Sequence, residues 1–462
     1  MRVDYVAGAV EPIVTRGELV VIEGFGFGTS AGTVRFTRIG GGLVTVNVAD
    51  SDWTTFTVTI AIPDSAALGR EALSVATAAG TELIATIHVL PRPAFDPAAL
   101  TWTARSAYPG APFGIAATAA EFPTTSGWNA TLYAAGGAEP PQMTPDSGVY
   151  VARVLTAGVP VSEAWVRQRD TTDQSRSRVL PAPRAFAATA VATRYNSRFA
   201  GSALYVIGGV DAAGVAQASV LAADVTADSV SGRFVFLEPL PSPRAGAIAV
   251  VRHGRMYVIG GTDASGRPQT TVFMGRIAAD GHIDGWYAQP ALSGPRAYGG
   301  GWIREPHVVA IGGVADSVPP GGGIGSATTR LVTGDTAAVS PVSGFFTGSW
   351  GAGPALLPEG RSQFAVLDLG NTVLAVGGMY ASAGSNSAET LAASVTEDSL
   401  GVFAGPVGSN RISDLTCLSQ PAGTLVGPAG VVWREAAGTP HAAVIGGLDL
   451  ATQTGRGCVW GF

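Results

Sequence analysis

The residues of this 462-residue chain with the clearest chemical potential are four arginines in a repeated setting. Each follows proline or glycine and opens an apolar strand: Pro-Arg at Arg184, Arg244 and Arg296, and Gly-Arg at Arg361. Tyr298 lies two residues after Arg296. Guanidiniums that converge on one face would form an anion or carboxylate site, because their planar donors match carboxylate oxygens in pairs. The same setting suits a plainer role, in which each arginine bonds to loop carbonyls and ties neighbouring elements together, and the sequence favours that role. If a ligand is held at all, Arg184, Arg244, Arg296, Tyr298 and Arg361 are the expected binding residues.

Other chemistry is harder to assemble. The five histidines are His88, His253, His282, His307 and His441. The strand pattern puts His253 in a hairpin turn, His307 and His441 at strand starts and His282 in a different turn. They do not converge, so no metal site and no cofactor is expected. Two cysteines, Cys417 and Cys458, are too few for a disulfide scaffold or a cysteine zinc site. They either pair or remain as buried thiols. No serine sits in a G-x-S-x-G elbow, and no acid pair stands out. The GFGFG run at 24–28 superficially suits a phosphate-cradling loop, but no helix pattern follows it and the chain has no lysine to meet phosphate.

Composition narrows the class. The net charge is −6 and all 28 basic residues are arginine, with no basic stretch, so a nucleic-acid partner is disfavoured. The lysine-free composition reads as codon usage in a GC-rich genome, or as selection in an exposed setting. No apolar run reaches the roughly 18 residues of a membrane span, and no membrane insertion is expected. The opening MRVDYVAGAVEP has one basic residue and no apolar core of signal-peptide length, which favours assembly in the cytoplasm over export.

The elements that must position these residues are strands. Apolar residues make up 46%, charged residues only 13%, and there are 63 glycines and 30 prolines, a profile of an all-β protein with many turns. Residues 1–91 alternate apolar and polar in short runs: ELVVIEGFGFG (18–28), GTVRF (32–36), TFTVTIAIP (55–63), EALSVATAAG (71–80) and ELIATIHVLP (82–91). Period-two alternation with β-branched residues gives half-buried strands, and several in ninety residues give a sandwich. Gly17, VVIEGFGFG, GTVRF and the Ile62-Pro63 step resemble the IPT/TIG family of immunoglobulin-like domains. The resemblance implies a spacer, anchor or partner-binding module.

From residue 92 onward an apolar strand ending in Gly-Gly recurs six times: LYAAGG (132–137), LYVIGG (204–209), MYVIGG (256–261), VVAIGG (308–313), VLAVGG (373–378) and AAVIGG (442–447). A second pattern, a strand turning over Asp, Gly or Ser and returning to an aromatic, closes several repeats, as in RIAADGHIDGW (276–286) and SVTEDSLGVF (394–403). The double signature resembles the kelch repeat and implies a six-bladed β-propeller over 92–462. After the sixth Gly-Gly only GCVWGF (457–462) remains, so the last blade lacks its outer strand. The segment FDPAALTWTAR (95–105), with Trp102, has the form of that strand and is expected to pair with the chain's end, removing an open edge.

Four strands per blade put the post-Gly-Gly loops and the four arginines on one face, together with the polar loops 138–148, 314–329 and 379–389. In kelch relatives this face binds proteins; in galactose oxidase relatives it carries copper. Sialidases need a Tyr/Glu pair and an arginine triad, for which Tyr298 is the tyrosine to watch, but their S-x-D-x-G-x-x-W turns are missing. The chain is therefore expected to be no enzyme but a structural and binding protein. The first expectation is a virion component (phage tail, fibre or capsid decoration). Its immunoglobulin-like domain would dock to other particle proteins, and its propeller would bind host glycan or protein on the particle surface, with homo-oligomers within the assembly. The alternative is a cell-surface or secreted bacterial adhesin, and a lesser one is a sialidase- or galactose oxidase-like enzyme acting on glycans.

Overall fold

A computed structural model describes residues 2–462 except 7, 9–10, 111, 125–126, 141, 156–160, 163, 170–176, 196–199, 305, 319–328, 381–388, 396–399, 410–424, 436, 450–453 and 456. It is all-β, with only two single-turn 3₁₀ helices among the described residues.

The first ninety residues form eight strands: Arg2–Val6 (β1), Ile13–Thr15 (β2), Leu19–Phe25 (β3), Thr33–Thr37 (β4), Leu43–Asn47 (β5), Thr57–Ala61 (β6), Gly69–Ala76 (β7) and Glu82–Leu90 (β8). They make two sheets, β1-β3-β6 and β2-β8-β7-β4-β5. The alternation read from sequence is the burial pattern: in β4 only Val34 and Phe36 are buried. These two, with Val20, Ile22, Trp53, Val58, Leu73, Val75 and Ile87, form one core that no later residue joins.

Six antiparallel sheets follow, the first five built outward in chain order. Their first strands are Ala116–Thr124, Ala188–Tyr195, Ile248–Arg252, Gly300–Arg304, Ala365–Asp368 and Ala429–Arg434. Each of these packs against the next, and the sixth packs against the first, so the six sheets close a ring. The sixth sheet takes its outermost strand from the start of the ring segment: Thr103–Ala104 pairs antiparallel with Val459–Gly461, Thr103 opposite Gly461 and Ala104 opposite Trp460. This pairing lies inside the segment 95–105 that the sequence assigns to the chain's end.

Two sets of backbone hydrogen bonds run around the ring. At the axis the N–H of each of six equivalent residues donates to the carbonyl of the one in the neighbouring sheet: Phe186 to Gly114, Gly246 to Phe186, Tyr298 to Gly246, Gln363 to Tyr298, Gly427 to Gln363 and Gly114 to Gly427, at 2.7–3.3 Å. All six have φ between 53° and 63°, including three non-glycine residues for which that region is uncommon. Further out, the second glycine of each Gly-Gly donates into the next sheet, for example Gly261 to the Arg296 carbonyl at 2.8 Å. The first glycine explains itself by space. A Cβ on Gly260 would stand 2.2 Å from the Arg296 carbonyl oxygen, closer than any side chain is tolerated.

Side chains repeat the tie. The second-strand tyrosines Tyr205 and Tyr257 donate to the carbonyls of Gly281 and Gly344 in the next sheet, at 2.8 and 2.7 Å. The outer aromatics Trp286 and Trp350 donate backward to Glu238 and Pro290 at 3.0 and 2.9 Å. Trp102 does the same for the exchanged strand: it is 1% exposed and its Nε1–H donates to Thr390 Oγ1 at 3.0 Å.

Trp102→Ala should therefore lower stability by about 3–5 kcal/mol, the usual cost of emptying a buried tryptophan site. Thermal and urea unfolding check this. A variant within about 0.5 kcal/mol of the parent would contradict the closing role of this strand.

Candidate functional site

The four repeated arginines are not an open cluster. Arg184, Arg244, Arg296 and Arg361 are only 2–5% exposed. Arg184 donates to the Pro183 carbonyl and Ser219 Oγ, and Arg244 to the Pro243 carbonyl and Thr271 Oγ1. Arg296 donates to the carbonyls of Gly312 and Thr333, with Asp335 at 3.6 Å. Arg361 donates to the Tyr380 hydroxyl and lies over its ring. Burial pushes all four guanidinium pKa values down. Bonded in this way along the Gly-Gly loops, they take the plainer of the two roles the sequence offers, as internal ties.

Tyr298 is held in the same part of the ring. It is 9% exposed, its backbone is a member of the axial hydrogen-bond ring, and burial pushes its phenol up to about 12. Its ring meets Phe186 edge to face at 5.6 Å, and Phe186 meets Phe113 likewise at 5.1 Å. These three aromatics plug the axis at the arginine end. Residues 319–328 and 381–388 of the polar loops lie outside the described residues, as does Cys417. Cys458 is buried and disulfide-bonded.

The opposite axial end is where charge and space coincide. Four of the six first strands end in a charged residue, Arg252, Arg304, Asp368 and Arg434, and Glu121 stands near the end of the first. The result is a collar. Two pairs close within the ring itself. Arg434 holds Glu121 with Nε to Oε1 at 3.2 Å and Nη2 to Oε2 at 2.9 Å, and Arg304 Nη2 donates to Asp368 Oδ1. Burial pushes the Asp368 carboxyl up despite Arg304, while the attraction of Glu121 outweighs burial and raises Arg434.

Arg252 has a different partner. Its Nη2 donates to Oε1 of Glu18, which comes from the N-terminal unit at the entrance to β3. Glu18 Oε2 accepts from Thr15 N and Oγ1 at 2.8 and 3.0 Å, and His253 Nε2 stands 3.8 Å from Oε1. Arg255 Nη1 reaches Glu23 at 3.2 Å beside this contact. The linker is fixed too: Asn371 accepts from the Phe95 N–H and donates to its carbonyl, both at 2.9 Å. The N-terminal unit thus sits over the collar, and a partly open cavity of about 1540 Å³ lies between them. Glu18, Arg92, Arg252, Arg304, Asp368 and Arg434 line its charged part, and Ala120, Val191, Val251 and Val432 its apolar part.

Sequence reasoning missed this collar. A signal was present in the apolar runs that end in one charge, AVVR (249–252), WIR (302–304), AVLD (365–368) and VVWR (431–434). His253 lies in a hairpin turn, and His282 Nδ1 bonds to Asp280 at 2.8 Å. Among the described residues no group of three or more His, Cys, Asp or Glu side chains could hold a metal ion.

No family model and no curated protein matches the chain. Among solved structures it is similar to one titled "Structure of YjhT", with 15% identity and a TM-score of 0.48, over 88% of this chain and 98% of that one.

Burial alone would raise the Glu18 carboxyl, but Arg252, His253 and Thr15 outweigh it and hold it at about 2, below its ordinary 4.5. A carboxyl lowered by folding stabilises the fold above its unfolded pKa and loses that contribution as pH falls through the folded value. Glu18 therefore contributes on the order of 3 kcal/mol at neutral pH, lost between about pH 4.5 and 2. Urea unfolding across this range should show Glu18→Gln less stable at pH 7 and converging on the parent toward pH 2. Parallel pH profiles in the two proteins would contradict the assignment.

Proposed function

We propose that the chain is an IPT/TIG-like immunoglobulin sandwich (1–91) followed by a six-bladed kelch-like β-propeller (92–462). We further propose that it works as a non-enzymatic structural and binding protein of a virion, as a tail, fibre or capsid-decoration component. One observation carries the reading: both axial ends of the ring are occupied by the chain itself. The arginine end has the hydrogen-bond ring and its aromatic plug. The other end has the N-terminal unit, seated through Glu18 and Glu23. A ring plugged at one end and capped at the other suits a module that holds and presents a rigid surface.

Further features agree. The seam of the ring is sealed by strand exchange, so no sheet edge is offered for misassembly there. The disulfide at Cys458 suits an oxidising exterior. The N-terminal unit exposes both Phe25 and Phe56, which pack together at 5.8 Å, an apolar contact point for other particle proteins. Its fixed seat would hold the propeller at a set angle, with the outer faces of the blades presented to host glycan or protein.

Mass spectrometry of gradient-purified particles from cells that make the protein tests this. It should co-sediment with the particle at a constant ratio to the major capsid protein and resist high-salt washing. Recovery only in membrane or culture fractions, with no particle, would contradict the virion reading and favour an adhesin.

A further inference from the structure

We propose that the collar is a binding site for a small-molecule carboxylate, held in a self-occupied state by Glu18. The inference goes beyond the structural role above and stands whether or not the protein belongs to a particle.

The argument starts from a mismatch among three arginines. Arg304 and Arg434 find their carboxylates, Asp368 and Glu121, in the ring. Arg252 hydrogen-bonds to none there, Asp368 acting on it only at longer range, and the carboxylate that it bonds is delivered by a different folding unit, 234 residues away in the chain. The contact is also incomplete. Arg434 engages Glu121 with both Nε and Nη2, the paired geometry that makes arginine–carboxylate recognition strong and specific. Arg252 gives Glu18 only Nη2, and its Nε is a buried donor with no hydrogen-bond partner. A carboxylate not tethered to β3 could take Nε and Nη2 together, as Glu121 does on Arg434. A buried donor left unpaired costs free energy that such a ligand would recover.

Space and neighbouring chemistry agree with a small ligand. The cavity of about 1540 Å³ exceeds the roughly 300–1,000 Å³ of ordinary ligand sites. About 30% of the Arg252 side chain and 26% of Arg304 remain accessible, and Val251, Ile303 and Val432 supply apolar wall beside them. A carboxylate carried on a compact, partly apolar body would place its charge on Arg252 and its body against that wall. Glu18 occupies the charged position as an intramolecular competitor, at the high effective concentration that tethering gives.

The test is chemical rescue with acetate against chloride at equal ionic strength and pH 7, followed by melting temperature. In Glu18→Ala the position is vacated, and acetate should raise the melting temperature saturably, as a ligand of the native state does. The parent and the double variant Glu18→Ala/Arg252→Ala should not respond. Binding of ¹³C-acetate by NMR should be at least about tenfold tighter in Glu18→Ala than in the parent, or 1.4 kcal/mol. Equal response of all three proteins, or no response of Glu18→Ala, would overturn the proposal. If Glu18→Ala does not fold, Glu18→Ser keeps a polar side chain at the entrance to β3 and still leaves the position on Arg252 empty. Saturable acetate binding there supports the site, and its absence overturns it.

Discussion

The constraint on which the rest of this structure depends is a closed circle of six backbone hydrogen bonds at the axis. Such a circle exists only if six equivalent residues, one per sheet, all turn into the left-handed region, with φ of 53–63°. Gly114, Gly246 and Gly427 do so readily. Phe186, Tyr298 and Gln363 do so against their intrinsic preference. For two of them the ring side chain is used: Phe186 lies where a Cβ on Gly114 would be, and Tyr298 where one on Gly246 would be. The glycines make room, and the aromatics fill it. The longest bond of the circle, Gly114 to Gly427 at 3.3 Å, lies at the seam between first and last sheets, where the exchanged strand adds its own pairing.

Once the circle fixes the sheets at one end, the other end follows. The first strands run from the circle toward the collar, where the charges at their far ends act on one another. Charges placed there meet only if they are opposite, as Arg434 and Glu121 or Arg304 and Asp368 are. The remaining arginine, Arg252, becomes the seat for the N-terminal unit. Architecture and domain placement are thus joined through the Arg252–Glu18 and Arg255–Glu23 ion pairs, which the linker contact of Asn371 reinforces.

Much of this was legible in the sequence, for definable reasons. The Gly-Gly signature is visible because the first glycine is forced by a carbonyl some two ångströms from its missing Cβ, which leaves the same residue in every repeat. The exchanged strand was legible by counting, since one strand after the last Gly-Gly leaves a sheet short. The axial circle was not legible, because it acts on the backbone and accepts Gly, Phe, Tyr or Gln alike. The arginines were seen as a repeat, but whether they face solvent depends on the packing of loops between sheets. The collar was legible only in part. Apolar runs ending in a charge mark its members, whereas nothing near Arg252 in sequence points to Glu18.

Native-state hydrogen exchange measures the central claim most directly. The amides of Gly114, Phe186, Gly246, Tyr298, Gln363 and Gly427 should exchange only through a shared opening, with one common free energy equal to that of unfolding of the ring. Independent exchange of these six amides, at free energies well below that of unfolding, would contradict the account.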